Sequence, residues 1–186
     1  MQILLATGNA HKATEFTRIL NCTEISVTPF GNFDVVENGK TFAENAAIKA
    51  REVFRLTGKP AIADDSGICV DALGGAPGIF SARYTDGTDH DRKLYLLSQM
   101  EGKTNRSAHY TCAICYIDES GTEKIFEAEM HGKIAETPID GGHGFGYDPI
   151  FIPDGFDTTV ACLDDKTKDE LSHRGKAIKL FKEALQ

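Results

Sequence analysis

The fold class follows from residues 2–12, which are Gln2-Ile3-Leu4-Leu5-Ala6-Thr7-Gly8-Asn9-Ala10-His11-Lys12. Residues 2–7 are a short, mostly apolar run that predicts a buried strand, and Ala13, Phe16 and Leu20 then recur at helical spacing. A strand that passes through a glycine-containing turn into a helix is typical of an α/β fold.

A second helix and a second buried strand are predicted further along the chain. Thr41-Phe42-Ala43-Glu44 has the form of a capping box, so a helix is expected to begin there and to end near Leu56. Residues 60–64 are apolar up to Asp64 and predict the strand.

The second half of the chain carries a different pattern. Residues 107–117 and 123–130 alternate like the two strands of a hairpin, with Glu119-Ser120-Gly121 in the turn. A glycine-rich loop is expected at residues 140–146, and a last amphipathic helix is expected from about Leu171. Together these elements predict an α/β fold with a mixed sheet.

Length and composition place the chain among globular proteins. Its 186 residues, with no internal repeat and no long linker, are expected to form one domain over residues 1–186. No stretch approaches the roughly 20 apolar residues of a membrane span. The five cysteines are an odd number for a disulfide framework. We therefore expect a cytoplasmic protein without a membrane partner.

Cys112 and Cys115 form a CxxC, which is a spacing found in zinc and redox sites. They fall within the strand expected at residues 107–117, where positions three apart face opposite sides of the sheet and cannot share one zinc ion. Buried structural thiols are the interpretation that we favour.

The net charge of −8, from 28 acidic and 20 basic residues, argues against a general hold on the backbone of DNA or RNA. A single nucleotide is a different case, because screening confines charge effects to about 8 Å at physiological salt. A local group of basic residues with a metal ion can therefore bind a polyphosphate on an acidic protein.

The turn at residues 7–12 is the first candidate for such a group. Its small residues let backbone N–H groups approach a phosphate at a helix N-terminus, and Lys12 adds a positive charge. The spacing of a P-loop is absent from this turn. Ordinary turn chemistry also explains Thr7-Gly8-Asn9, so the turn alone does not establish a phosphate site.

The second candidate is Ala63-Asp64-Asp65-Ser66-Gly67, at the end of the predicted strand. Adjacent side chains on an extended backbone point to opposite sides, so we expect one carboxylate to enter a site and the other to brace the turn. Ligands of open α/β sheets bind beyond the carboxyl ends of strands, and carboxylate oxygens there suit Mg²⁺. A polar turn without a ligand is the alternative.

Two glutamates and a lysine lie near the start of the second predicted helix. Glu37 is a candidate metal ligand. Glu44 has a structural explanation, because the last residue of a capping box bonds back to the backbone of Thr41. The spacing leaves open whether Lys49 is solvated or turns toward a phosphate.

Aromatic and basic residues gather late in the chain. In Gly144-Phe145-Gly146-Tyr147-Asp148-Pro149 two rings can sandwich a base, although an aromatic residue after glycine also anchors ordinary loops. Lys168 and Ser172-His173-Arg174 offer several donors to a base edge or a phosphate.

The order of these motifs closely resembles that of the inosine triphosphate pyrophosphatase family, also called the Ham1 or RdgB-like non-standard purine nucleotide pyrophosphatases. The resemblance runs nearly end to end, and its blocks in the family's order argue against chance similarity. The blocks are Thr7-Gly8-Asn9 with Lys12 and Glu15, Glu37 with Thr41-Phe42 and Glu44-Asn45-Ala46, Ala63-Asp64-Asp65-Ser66-Gly67, Ala72-Leu73-Gly74-Gly75-Ala76-Pro77-Gly78, Ser81-Ala82-Arg83-Tyr84, Phe145-Gly146-Tyr147-Asp148-Pro149, and Ser172-His173-Arg174-Gly175.

The resemblance implies Mg²⁺-dependent hydrolysis of the deaminated purine triphosphates ITP, dITP and XTP to the nucleoside monophosphate and pyrophosphate, which cleanses the nucleotide pool. It implies an elongated mixed sheet flanked by helices, two lobes with a central substrate cleft, and a homodimer. Neither a nucleic-acid polymer nor a membrane is expected as a partner.

Carried over by position, the resemblance also implies roles for individual residues. Asp65 would be the catalytic carboxylate and would hold Mg²⁺ with Glu37, while Lys12 and Lys49 would assist catalysis at the triphosphate. The residues expected to touch substrate are Thr7, Gly8, Asn9, Ala10, His11, Lys12 and Ser66, and those expected on the base and sugar side are Phe145, Gly146, Tyr147, Asp148, Lys168, His173 and Arg174.

Two other functions are alternatives. A Maf-like pyrophosphatase, acting on pyrimidine or modified nucleotides, shares the general architecture, and a nucleotide sensor would bind triphosphates without cutting them. Comparing rates on dITP, dTTP and UTP separates the first alternative, and the release of pyrophosphate separates the second.

Overall fold

The computed structural model describes residues 1–20, 25–31 and 33–185. Its strands are β1 (Gln2–Ala6), β2 (Ser26–Phe30), β3 (Ala61–Val70), β4 (Ser107–Ile117), β5 (Glu123–Ile134) and β6 (Phe151–Pro153). Within the described residues they form one six-stranded sheet in the order β2-β1-β3-β4-β5-β6. β1 pairs in parallel with β2 and β3, whereas β5 and β6 pair antiparallel, so the predicted mixed sheet is confirmed.

The α-helices are α1 (Ala10–Leu20), α2 (Phe42–Thr57), α3 (Asp89–Gln99), α4 (Asp165–Leu171) and α5 (His173–Glu183). α2 begins as predicted, because Thr41 Oγ1 accepts a hydrogen bond from the backbone N–H of Glu44. It ends at Gly58, whose φ of 64° lets its N–H reach the carbonyl of Phe54. Throughout the described ranges, none of the helices combines the length and the hydrophobicity needed to cross a bilayer.

Internal contacts divide the chain into two compact units. Unit 1 comprises Met1–Asp65, Cys112–Ala128 and Arg174–Gln186, and unit 2 comprises Ser66–Thr111 and Glu129–His173. In unit 1, Leu5 and Ile62 belong to one apolar cluster, whereas their neighbours Ala6 and Ala63 belong to another. Successive strand side chains point to opposite faces, so α1 and α5 contribute to the first cluster and α2 to the second.

Unit 2 has its own apolar core. Leu96 of α3 is fully buried there, together with Ile68 of β3 and Phe151 at the start of β6. Thr88 and Asp91 form a reciprocal capping box at the start of α3. This helix, together with β2 and β6, was not among the elements predicted from the sequence.

Two predicted boundaries were wrong. The strand expected at residues 60–64 continues as β3 to Val70, because it lies inside the sheet between β1 and β4. β5 likewise continues beyond residue 130 to Ile134, where it pairs with β6. The last helix, expected from about Leu171, is α5, which begins at His173. The short α4, which the sequence did not predict, precedes it and is separated from it at Ser172, whose backbone is extended at φ −69° and ψ 154°.

The register of β1 and β3 places the acidic pair. Leu5 lies opposite Ile62, and β1 ends at Ala6. Asp64 and Asp65 therefore lie level with the turn that follows β1 rather than at the end of their own strand. As expected, both aspartates lie at the carboxyl end of a strand in this α/β sheet, but that strand is the neighbouring β1 and not β3, which carries them.

Candidate active site

The turn after β1 is shaped by its own side chains. Asn9 Oδ1 accepts hydrogen bonds from the N–H groups of His11 at 2.9 Å and Lys12 at 3.2 Å, so Asn9 caps α1. The N–H of Asn9 donates to Thr7 Oγ1 at 3.1 Å. Gly8, Asn9, Ala10 and His11 are exposed, while Lys12 is only half-exposed. The turn thus presents an accessible backbone with one directed positive charge.

Asp64 lies at the centre of a buried ion-pair network in unit 1. Its Oδ2 is 3.0 Å from Lys12 Nζ and accepts hydrogen bonds from Nε and Nη2 of Arg174 at 3.2 and 3.1 Å. Arg174 Nη1 donates to Glu15 Oε2 at 2.5 Å. Burial alone would raise the pKa of Asp64, but the charges of Lys12, Arg174 and Lys49 outweigh it and lower the pKa. Asp64 is therefore a structural anchor that is charged at neutral pH.

Asp65 has different partners from its neighbour. Its Oδ2 accepts a hydrogen bond from Asn45 Nδ2 at 3.0 Å, and its Oδ1 lies 3.6 Å from Lys49 Nζ. Burial raises the pKa of Asp65, and the charges of Lys49 and Lys12 only partly offset that effect. The separate partners of Asp64 and Asp65 agree with the expectation that one aspartate braces the chain while the other serves the site.

Lys49 is not a solvated lysine. Its Nζ lies 3.0 Å from Glu37 Oε2 and 3.6 Å from Asp65 Oδ1, and the residue is 8% exposed. Burial would lower the pKa of Lys49, but Asp65, Asp64 and Glu37 together reverse the effect and raise it. Lys49 therefore turns inward and keeps its charge, and its contact with a phosphate stays a prediction.

Glu44 is used at the start of α2, with one difference from the prediction. Its Oε2 accepts a hydrogen bond from the N–H of Lys40 at 2.6 Å rather than from that of Thr41. The Glu44 side chain therefore bonds to the backbone one residue before Thr41. Because this carboxylate stabilises the helix start, Glu37 is the better partner for Asp65 in a metal site.

Two carboxylates of unit 1, those of Glu37 and Asp65, are the donors that suit a magnesium ion. Among the residues that the structure describes, no group of three or more His, Cys, Asp or Glu side chains has the arrangement of a metal site. Glu37 and Asp65 do share one cationic neighbour, Lys49. Mg²⁺ commonly takes one or two protein carboxylates and completes its shell with water and substrate phosphates, so this pair is a suitable donor set.

The CxxC does not form a metal or redox site. Cys112 packs in the apolar cluster that α1 contributes to, and Cys115 packs in the cluster of α2, so the two thiols face opposite sides of β4 as predicted. Burial raises the pKa of Cys115 to about 12 and also raises that of Cys112. The cysteines of the described residues are free thiols, and Cys22 lies outside those residues.

Unit 2 brings several of the late residues together around Asp148. Its Oδ2 accepts hydrogen bonds from Lys168 Nζ at 2.8 Å and from the N–H of Phe145 at 2.9 Å. Its Oδ1 accepts one from the hydroxyl of Tyr110 at 3.2 Å. Gly144 has a φ of 76°, and a side chain there would overlap the Asp148 carboxylate, which explains the glycine.

The aromatic rings of unit 2 divide into two sets. Lys168 Nζ lies 4.9 Å from the centroid of the half-buried Phe145 ring, and the ring of His173 stacks on Tyr110 at 4.6 Å. Tyr147 instead lies in the apolar core, where its hydroxyl donates to the carbonyl of Ser81 at 2.8 Å. Phe145 and Tyr147 therefore do not present two faces for a base to bind between, because the Tyr147 ring packs in the core.

The remaining predicted site residues differ in burial, and two residues that hold site side chains in place were not predicted as site residues. Ser66 is half-buried on β3, and Gly146 has a φ of 61° in the loop before Asp148. Arg174 is 2% exposed and holds Asp64 and Glu15, so its contact with a base stays a prediction. Asn45 and Tyr110 gave no chemical signal in the sequence, because a buried amide and a strand tyrosine acquire their partners only through folding.

Comparison with known proteins identifies the family of this chain. A model of the Ham1 family matches residues 3–184. A dITP/XTP pyrophosphatase of Streptomyces avermitilis is 44% identical, covering 96% of this chain and 94% of the relative. One of Leptospira interrogans is 46% identical, covering 95% and 93%. The solved structure of a HAM1 protein from Coxiella burnetii has a TM-score of 0.90 and 39% identity, covering 100% and 98%. This chain belongs to the Ham1 family.

Proposed function

We propose that this protein is a Mg²⁺-dependent pyrophosphatase of the non-standard purine triphosphates ITP, dITP and XTP. It cuts between the α and β phosphates and releases the nucleoside monophosphate and pyrophosphate. The observation that carries this proposal is the meeting of Lys12, Lys49 and Asp65 around one acidic cluster in unit 1. The dITP/XTP pyrophosphatase names of similar proteins support the reaction and the substrate class.

Charge balance in unit 1 supports a role for a metal ion. Among the described residues, the ion-paired cluster holds three cations, Lys12, Lys49 and Arg174, and four carboxylates, Glu15, Glu37, Asp64 and Asp65, a formal charge of −1. A triphosphate brings several further negative charges to this cluster. The lysines alone do not offset that charge, and a divalent cation held by Glu37 and Asp65 would reduce the negative excess. Mg²⁺ held there would supply charge neutralisation to the triphosphate.

The protein's own groups then account for the bond changes. Asp65 Oδ2 is held by Asn45, and the carboxylate accepts or steers the proton of a water molecule that attacks the α phosphorus. The new bond joins the water oxygen to the α phosphorus, and the bond from that phosphorus to the bridging oxygen of the β phosphate breaks. Lys12 and Lys49 stabilise the charge on the departing pyrophosphate.

The base end of the nucleotide is proposed to use residues of unit 2. Phe145 offers an aromatic face, and Lys168 and His173 offer donors that suit the 6-carbonyl of hypoxanthine or xanthine. The 6-amino group of adenine would face those donors with a donor of its own, and such buried mispairing discriminates strongly. We also propose that Arg174 contacts the base, in addition to its ion pairs with Glu15 and Asp64.

Two accompanying proposals concern the state of the enzyme. We propose a homodimer that acts in the cytoplasm. The homodimer rests on the resemblance described above, and the cytoplasmic location rests on the sequence analysis of apolar stretches and cysteines. Light scattering coupled to gel filtration measures the first directly, and a mass of one chain in solution would rule it out.

The test of function is a product assay with defined substrates. Purified protein is incubated with dITP and Mg²⁺, with and without a chelator, and pyrophosphate and orthophosphate are measured separately. We expect pyrophosphate, its loss with chelator, and much slower turnover of dTTP and UTP, which a Maf-like enzyme would favour. Orthophosphate as the first product, or no product after prolonged incubation, would refute the proposed reaction. An Asp65→Asn sample tests the carboxylate.

A further inference from the structure

One ammonium group contacts both proposed metal ligands. Lys49 Nζ lies 3.0 Å from Glu37 Oε2 and 3.6 Å from Asp65 Oδ1. The lysine side chain is 11% exposed and the aspartate side chain 12%, so water screens these charges weakly. In this arrangement the charge of Lys49 reduces the repulsion between two carboxylates, because it offsets one of their two negative charges.

Asp65 is held by a group other than Lys49. Asn45 Nδ2 donates to Asp65 Oδ2, and Asn45 Oδ1 accepts from the N–H of Gly39, two residues after Glu37. Asn45 is completely buried and connects the strand of Asp65 to the backbone of the loop that carries Glu37. Neither hydrogen bond involves Lys49, so both can stay in place when Lys49 changes its partner. The four-carbon stem of lysine allows such a change by rotation alone.

We propose that Lys49 is an exchangeable counterion, which holds Glu37 and Asp65 as a pair and must release them before both can bind a divalent cation. This inference rests on the proposed function for the identity of the two ligands. Once released, the ammonium group is available to an anionic oxygen of the triphosphate. Lys49 thus couples cation binding to phosphate binding, so that each favours the other.

The test measures metal binding without nucleotide, by isothermal titration calorimetry with MgCl₂. The variant Lys49→Met keeps most of the buried stem and removes the competing charge. We expect the dissociation constant for Mg²⁺ to tighten by about tenfold relative to the wild type. Lys40→Met is the matched control, because it removes one positive charge from the exposed loop near Glu37 without touching the pair. We expect that control to change the constant by less than about threefold.

A measurement on the wild-type chain complements the variants and does not depend on their folding. Competitive labelling with acetic anhydride, followed by mass spectrometry, reports the reactivity of the Lys49 amine. Because release from the two carboxylates leaves the amine more accessible to the reagent, we expect Mg²⁺ to raise the labelling of Lys49 severalfold while leaving Lys40 unchanged. Circular dichroism confirms that each variant is folded.

Several outcomes would overturn the inference. Weaker or unchanged metal binding by a folded Lys49→Met protein would show that Lys49 does not compete with the cation. Labelling of Lys49 that falls or stays constant with Mg²⁺ would show that it does not leave the carboxylates. Neither result bears on whether pyrophosphate is released from dITP, so the inference and the proposed function fail separately.

Discussion

Asn45 donates a 3.0 Å hydrogen bond from Nδ2 to Oδ2 of Asp65, from a position with no exposed surface. Its Oδ1 accepts a 2.9 Å hydrogen bond from the N–H of Gly39. One buried amide thereby connects the loop that carries Glu37 with the strand that carries Asp65. An amide suits this place because it donates to a carboxylate at one end and accepts from an N–H at the other.

Replacing Asn45 by alanine should therefore affect both stability and catalysis. The change leaves the Gly39 N–H and one Asp65 oxygen without their partner, so we expect a loss of about 2 kcal/mol in the free energy of unfolding. We also expect kcat/KM for dITP to fall at least about tenfold, because Asp65 loses its orientation. Urea denaturation and steady-state kinetics measure the two effects. The exposed Asn38→Ala serves as control, and a similar loss there would contradict a specific role for Asn45.

Gly39 should not tolerate a side chain. A Cβ there would lie 2.7 Å from Asn45 Oδ1 and 2.7 Å from the Cβ of Glu44, so we expect Gly39→Ala to destabilise the protein by about 1–3 kcal/mol.

Gly8 provides the matched comparison, because a Cβ built there meets no atom within 4 Å. We expect Gly8→Ala to keep the unfolding free energy within about 0.5 kcal/mol of the wild type. If the backbone of this turn approaches a phosphate, the same variant should raise KM. A KM that stays unchanged would argue against that approach.

The two adjacent aspartates should respond to the same substitution in different ways. Asp64→Asn leaves Arg174 and Lys12 facing a neutral group, and we expect a loss of about 3–5 kcal/mol at pH 7. Asp65→Asn should keep the stability or increase it, while kcat falls about 100-fold or more. The reason is that burial raises the pKa of Asp65, so ionising this group above its folded pKa reduces stability.

The pH dependence of the free energy of unfolding tests the role of the Asp64 charge. Its pKa is lowered in the folded protein, so its contribution is fully present above the unfolded pKa near 4 and is lost as the pH falls toward the folded value. The stability difference between wild type and Asp64→Asn should therefore shrink below about pH 4. A difference that stays constant down to pH 2 would show that the charge of Asp64 is not its source.

The buried thiols should weaken the fold at alkaline pH. Burial raises the pKa of Cys115 to about 12, whereas an unfolded cysteine ionises near 8.5. The contribution of the protonated Cys115 thiol to the free energy of unfolding is then fully present below about pH 8.5 and falls as the pH rises toward 12. About 2 kcal/mol is lost at pH 10 from this group. Cys112 acts in the same direction.

The variant Cys112→Ala/Cys115→Ala should show a flatter curve of unfolding free energy between pH 8 and about 10 than the wild type. Cys162→Ala is the control, because hydrogen bonds with Thr158 and Thr159 lower the pKa of Cys162 instead. Curves of equal slope for the double variant and the wild type would show that these thiols do not control alkaline stability.

The local features of the chain were accessible from the sequence because they depend on neighbouring residues. The capping box at Thr41 placed the start of α2, and alternation along residues 107–117 placed Cys112 and Cys115 on opposite faces of β4. The acidic pair and the turn at Thr7 were recognised as candidates on the same basis. The order of motifs indicated the family, which the comparison confirmed.

Tertiary structure alone determines the different partners of Asp64 and Asp65. Asp64 and Asp65 are chemically identical neighbours, and only the packing of α1, α2 and α5 gives Lys12 and Arg174 to the first and Asn45 and Lys49 to the second. Arg174 and Asp64 are separated by 110 positions in the chain. Residue type and spacing report which groups are available, but distance and burial set their charges and partners, and those exist only after the chain has folded.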